Sequence, residues 1–268
     1  ANTTGDQNVS VGVGTLQVST TASNNTAVGY QALNRNTTGT QNVALGTYAL
    51  DANTTANQNT AIGYSSLTAN TTGGTNTAVG YTSLAANTDG ASNTAVGWAA
   101  LFANIGGDYN TALGRSALAG NTTGANNTAV GKNALAANTT GAANVAVGSL
   151  SLDANTTGGS LTAIGYKALG SSLTDIDTVG IGTNAGQNAT SSYSTIVGSQ
   201  ANGSGAMTGD SNSYLGYASG YANTSGANNT GIGRSVLGAN TTGAYNTALG
   251  ISALAANTTA AYNTAVGG

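Results

Sequence analysis

The stretch Asn25-Thr-Ala-Val-Gly-Tyr-Gln-Ala-Leu-Asn-Arg-Asn-Thr-Thr-Gly-Thr-Gln41 decides the fold, because the chain repeats it from end to end. The glycine after its aliphatic residue, Gly29, recurs every 17 residues from Gly12 to Gly182. After one interval a residue short, to Gly198, and one a residue long, to Gly216, the period resumes at Gly233, Gly250 and Gly267. Such a unit is too short for a helix pair or a propeller blade, yet long enough for one coil of strands and turns. The expectation is an all-β chain, a parallel β-solenoid (β-roll or β-helix) of 17-residue rungs. Residues 1–268 read as a single array of about sixteen units, irregular at 170–221.

With Asn25 as position one, the aliphatic position four is filled by Val28, Leu45, Ile62 and Val79 in successive copies, and position nine is Leu in every copy from Leu16 to Leu169. These two stripes are the expected core. Position two alternates between Thr (Thr26, Thr60) and Val (Val43, Val145), a β-branched choice that suits a strand. Positions two and four then face one way and the alanine between them the other. The glycine at position five stops the strand, and Asn-Thr-Thr-Gly closes the coil with turn residues. Rungs stacked at about 4.8 Å would align the position-one asparagines, Asn8 to Asn144 and again from Asn212, into an amide ladder. One aliphatic residue and one leucine are a thin core for a whole rung. The small residues at positions three and eight, such as Ala27, Ala32, Ala44 and Ala49, therefore read as a face for close approach of further copies, a homotrimer about one axis being expected.

Composition removes several classes of function. Charged residues make up 5% of the chain, against about 25% in an ordinary soluble domain. A net charge of −3 supports neither a nucleic-acid-binding face nor an acidic tail. No apolar stretch approaches the roughly 18 residues that would insert in a membrane. With no Cys, His or Glu, disulfides, thiolate metal sites, cofactors and acid–base catalysis are not expected, so the chain does not read as an enzyme. A surface of Asn, Thr, Ser, Gly and Ala suits an extracellular location.

The units Asn25 to Leu33 and Asn59 to Leu67, each followed by an Asn-Thr-Thr turn, resemble the repeats of phage and bacterial tail-fibre proteins, and are more distantly similar to the head repeats of trimeric autotransporter adhesins. The resemblance covers nearly the whole chain. It implies a trimeric fibre on a virion or cell surface and a part in attachment. The array begins at position eleven with Ala1 and stops at position six with Gly268, so it is expected to be a slice of a longer fibre. The expected function is a structural shaft that spaces an attachment module from the surface that carries it. A self-polymerising surface fibril and an ice-binding solenoid are the alternatives.

Three features could carry a local site. Position six forms a file that includes Tyr64, Tyr81, Trp98, Arg115 and Lys132, aromatic and then basic, which could contact cell-surface glycans. The Asn-Thr-Thr triplets at Asn36, Asn53, Asn70 and Asn121 match the N-glycosylation pattern. Within the irregular region, Gln200 to Asp210 could form a loop displaced from the shaft.

Overall fold

The computed structural model describes residues 3–268; Ala1 and Asn2, the start of the leading partial unit, lie outside the described residues. Those described form an all-β chain without helix, a parallel β-solenoid of sixteen three-residue strands from Val9–Val11 to Thr264–Val266, in about 15 turns. Two compact units, Ala1–Thr140 and Gly141–Gly268, hold eight strands each. Within the first, Thr60 pairs with Thr77 and Ile62 with Val79. In the second, the short and long intervals leave the register intact: Val179 pairs with Thr195, and Thr195 with Ser213. The missing and extra residues are absorbed in the turns.

Strand alternation is as the sequence indicates, but the core lies on the opposite face. Ala27, Ala44 and Ala61 at position three are fully buried, while positions two and four face outward, with Val28 36% and Leu113 47% exposed. The interior is built from the alanines of positions three and eight and the leucine of position nine. The physical reason is thickness. Where position three has no side chain, at Gly180, a Cβ would already lie 2.6 Å from Leu169 Cγ. The leucine leans on the inner face of the strand: the regular rungs leave room there for a methyl group at most, and the Gly180 rung not even for that. The alanine stripes are therefore internal packing and not a contact between chains.

Two files of asparagine run through this interior. The expected ladder at position one forms: Asn42 N donates to Asn25 Oδ1 at 2.9 Å, and Asn59 N to Asn42 Oδ1 at 2.9 Å. A second ladder at position twelve links Asn53 Nδ2 to Asn36 Oδ1 at 2.8 Å and Asn70 Nδ2 to Asn53 Oδ1 at 3.1 Å. Both converge on the carbonyl of position fifteen; Asn25 and Asn36 each donate to Gly39 O at 2.9 Å. Backbone donors run in both directions along the stack, Gly46 N back to Val28 O and Leu50 N forward to Ser66 O.

The turns use left-handed backbone at residues other than glycine. Gly46 has φ 140°, and a Cβ there would sit 2.4 Å from Gly63 O, so both backbone freedom and space require glycine. In the same rung Tyr48, Leu50 and Gln58 have φ of 60°, 51° and 60°, a conformation found in only a few per cent of such residues. Tyr48 N is held by Tyr30 O at 2.9 Å and Leu50 N by Ser66 O at 3.1 Å, so neighbouring rungs fix what local preference would not. The same constraint accounts for Leu at position nine, since a branch at Cβ is least tolerated at positive φ.

In the irregular region the core exchanges volume between two positions. Position nine becomes Gly186, Asn202 and Gly220, with φ of 58°, 42° and 60°, residues that accept the left-handed conformation readily. Position three swells to compensate, as Ile196 and Tyr214. A Cβ on Gly186 would meet Ile196 Cδ1 at 2.9 Å, and one on Gly220 would meet the Tyr214 ring at 2.5 Å. Gln200 to Asp210 is not displaced from the solenoid: Ala201, Asn202, Gly205, Met207 and Gly209 are buried, and Thr190 N donates to Met207 O at 2.8 Å.

The position-nine geometry predicts an inversion of the usual conservative ranking. Leu118→Met should cost less than about 1.5 kcal/mol, whereas Leu118→Ile, of equal volume but branched at Cβ, should cost about 1–3 kcal/mol more. Urea unfolding of the two variants measures the difference.

Candidate functional site

In the first unit the position-six file becomes a column of rings. Tyr64 and Tyr81 stack with centroids 5.2 Å apart and planes 11° apart, and Tyr81 and Trp98 stack at 6.4 Å and 5°. The Arg115 guanidinium caps the other face of the indole, 5.0 Å from the ring centroid. Tyr48, at position seven of a rung whose position six is Thr47, continues the column edge-on to Tyr64 at 6.1 Å and to Tyr30 at 5.5 Å. Tyr48 escapes a reading by strict position, although a tyrosine next to the vacant place is the signal that reveals it. The structure thus brings together Tyr64, Tyr81, Trp98 and Arg115, while Lys132 stands exposed one rung further on.

Stacking decides which surface this column offers. Tyr81 and Arg115 occupy the two faces of Trp98, so what remains for a ligand is ring edges: Tyr64, Tyr81 and Trp98 are 47%, 50% and 48% exposed. Beside them Tyr81, Thr82, Trp98, Ala99 and Phe102 line an apolar hollow of about 350 Å³. Its chemistry is that of a hydrophobic contact edged by two hydroxyl-bearing residues, Tyr81 and Thr82.

A polar notch of about 170 Å³ lies in the second unit, lined by Asp153, Lys167, Gly170, Ser171 and Gln187. Burial pushes the Asp153 carboxyl above its ordinary value, against the opposing pull of a backbone hydrogen bond and the Lys167 charge. Burial likewise raises Asp51, opposed by Arg35. It also raises Asp175, whose shift Ser172 opposes and Asp210 reinforces.

Each unit also carries a continuous outward strand face. Position two presents Thr60, Thr77, Thr94, Thr111 and Thr128 on five successive rungs of the first unit, and position four presents aliphatic side chains beside them. The hydroxyls of position thirteen are used internally, Thr54 Oγ1 donating to Thr71 O at 3.2 Å, whereas the position-two threonines face out from the sheet. The asparagines of the four Asn-Thr-Thr triplets face inward: Asn36, Asn53, Asn70 and Asn121 have no exposed surface, and each side chain donates to the carbonyl of position fifteen. The folded chain offers none of them to a glycosylating enzyme.

Among the described residues no helix is long and apolar enough to cross a membrane, and no group of three or more His, Cys, Asp or Glu stands together. No protein-family model matches the chain, and no curated protein is significantly similar to it.

The raised aspartates predict unusual acid behaviour. A group whose value rises on folding holds its proton more tightly in the folded chain. Its stabilising contribution is complete below the ordinary aspartate value of 3.8 and is lost as the pH climbs through the folded value. Thermal unfolding at pH 3 should therefore have a midpoint no lower than at pH 7, and the triple variant Asp51→Asn, Asp153→Asn, Asp175→Asn should flatten the pH dependence.

Proposed function

We propose that the chain is a structural segment, the β-solenoid shaft of an extracellular fibre on a virion or cell surface, which associates with further copies of itself and spaces an attachment module. The observation that carries this reading is the use made of the interior. Buried amides and backbone donors of each rung bond to the rungs on either side, as Asn42 does when its backbone N donates to Asn25 Oδ1 and its own Oδ1 accepts from Asn59 N. Every added unit therefore repeats one increment of length and of bonding. The likeness of the repeat to tail-fibre units points the same way. The role is mechanical and not catalytic: the only carboxylates are eight aspartates scattered over the chain, with no His or Cys to partner them.

A second reading, ice binding, is favoured by one observation: the position-two threonines, expected to be a buried file, lie on the outside in unbroken register from Thr60 to Thr128. Beside them Ile62, Val79, Val96 and Leu113 vary in length and shape, which roughens the plane that an ordered water layer would need.

The shaft reading predicts that deleting two regular units, Asn59 to Ser92, leaves a folded particle shorter by about 9.6 Å at the spacing of stacked strands, with attachment to its target surface largely intact. Small-angle scattering gives the length, and a cell- or surface-binding assay gives the attachment. Loss of binding by a folded, shortened particle would make the shaft itself the adhesive surface, with the Tyr64 to Lys132 file as its leading site.

A further inference from the structure

The outward strand face assigns a position to the self-association that the fibre reading requires, and it is a different face from the alanine stripes. We propose that the occupant of this face is a second copy of the same chain, docked through positions two and four; the proposal rests on the fibre reading for its biological setting and on separate observations for its geometry.

The first observation is exposure. Val28, Ile62 and Leu113 in the first unit, and Ile164, Leu215 and Leu249 in the second, are 36–50% exposed, although they are the largest aliphatic side chains of their strands. Isolated exposed aliphatics are ordinary, but position four is aliphatic on all sixteen strands, with half-buried Leu45, Val79, Val96 and Val130 between the exposed members, and such a continuous file marks an interaction surface. The second is charge. None of the sixteen strands carries a charged residue at position two or four, and charge depletion is characteristic of the centre of a protein–protein contact.

The third observation is period. In-register pairing, Thr77 with Thr94 and Val79 with Val96, repeats the same two side-chain files at every rung. A partner that contacts the whole face must carry apolar groups at the same spacing of about 4.8 Å, rung after rung. A second copy has that spacing by construction, and a globular partner of unrelated sequence does not. The fourth is extent. Two outward positions on eight strands give sixteen residues in each unit, close to the roughly 20–30 residues a side of a stable interface.

Light scattering coupled to gel filtration tests the proposal on the full chain. The unsubstituted protein should run at a multiple of the 25.7 kDa chain mass. A variant carrying Val28→Lys, Ile62→Lys, Leu113→Lys, Ile164→Lys, Leu215→Lys and Leu249→Lys should run at the single-chain mass with an unchanged circular dichroism spectrum. A control with the same added charge on the exposed position-fourteen file, at Thr38, Thr55, Thr72, Thr123, Thr157 and Thr242, should keep the assembled mass. Single substitutions at Leu113 and Leu249 provide a milder series should the sixfold variant unfold, each expected to weaken assembly at low protein concentration. An unsubstituted protein that is monomeric at every concentration overturns the proposal, as does a folded face variant that retains the assembled mass. A monomer that inhibits ice recrystallisation would give the face to ice. The change in particle length on deleting Asn59 to Ser92 is independent of these masses, so failure of the docking face and failure of the shaft reading remain distinguishable.

Discussion

Everything in this fold depends on a carbonyl oxygen that would otherwise be buried without a partner. The chain must turn back at position fifteen to close each rung, and there its carbonyl points into the interior. At Gly39 two asparagine amides, Asn25 and Asn36, donate to that oxygen, while their own oxygens accept from the next rung. An unsatisfied buried polar group costs about 1–3 kcal/mol, repeated here in each regular turn. In the irregular region, where position one is Leu161, Thr178 and Ser194, the Thr178 hydroxyl donates to Ser191 O at 2.9 Å in place of an asparagine. The asparagines remove that cost and, in the same step, tie each coil to its neighbour. Position one and position twelve are thus two ends of one bonding scheme, and the small apolar core has only to fill the space they leave.

That scheme also explains the left-handed residues. Three positions per rung beyond glycine, exemplified by Tyr48, Leu50 and Gln58, adopt a backbone that an isolated peptide would avoid. Neighbouring rungs hold Tyr48 from one side and Leu50 from the other, so the strain is shared along the stack and a coil in isolation has nothing to sustain it. Cooperativity between adjacent repeats is the energetic form expected of a solenoid.

Fold class, period, strand positions and the position-one ladder were legible in the sequence because they follow from repetition alone. The side of the strand that faces inward is the reverse of what the hydrophobicity of positions two and four implies, although the sequence contains the information. A buried ladder at Asn42 and alternation along the strand together place Ala44 inside with it, and Val43 and Leu45 outside. Hydrophobicity argued the other way and lost to thickness, since a coil one leucine deep holds no more than alanine on the inner face of its regular strands, and only glycine at Gly180 against Leu169. The turn residues gave no signal, because Tyr48 and Ser65 carry none of the usual marks of positive φ. Of the candidate site, the file from Tyr64 to Arg115 was legible as a spacing, but the mutual stacking that hides the ring faces follows from ring orientation, which spacing does not specify.

The volume exchange around Ile196 and Tyr214 bears on how such a chain changes over generations. Between regular repeats, misaligned recombination can add or remove whole coils and leave every remaining contact of the same kind, so length is free to vary. The stretch from Leu169 to Gly231 lacks that freedom. Gly180 accommodates Leu169, Gly186 accommodates Ile196, and Gly220 and Gly231 accommodate Tyr214, so a crossover inside it would set bulk against bulk or void against void. It can be inherited only as a block, a fixed landmark within an otherwise elastic gene.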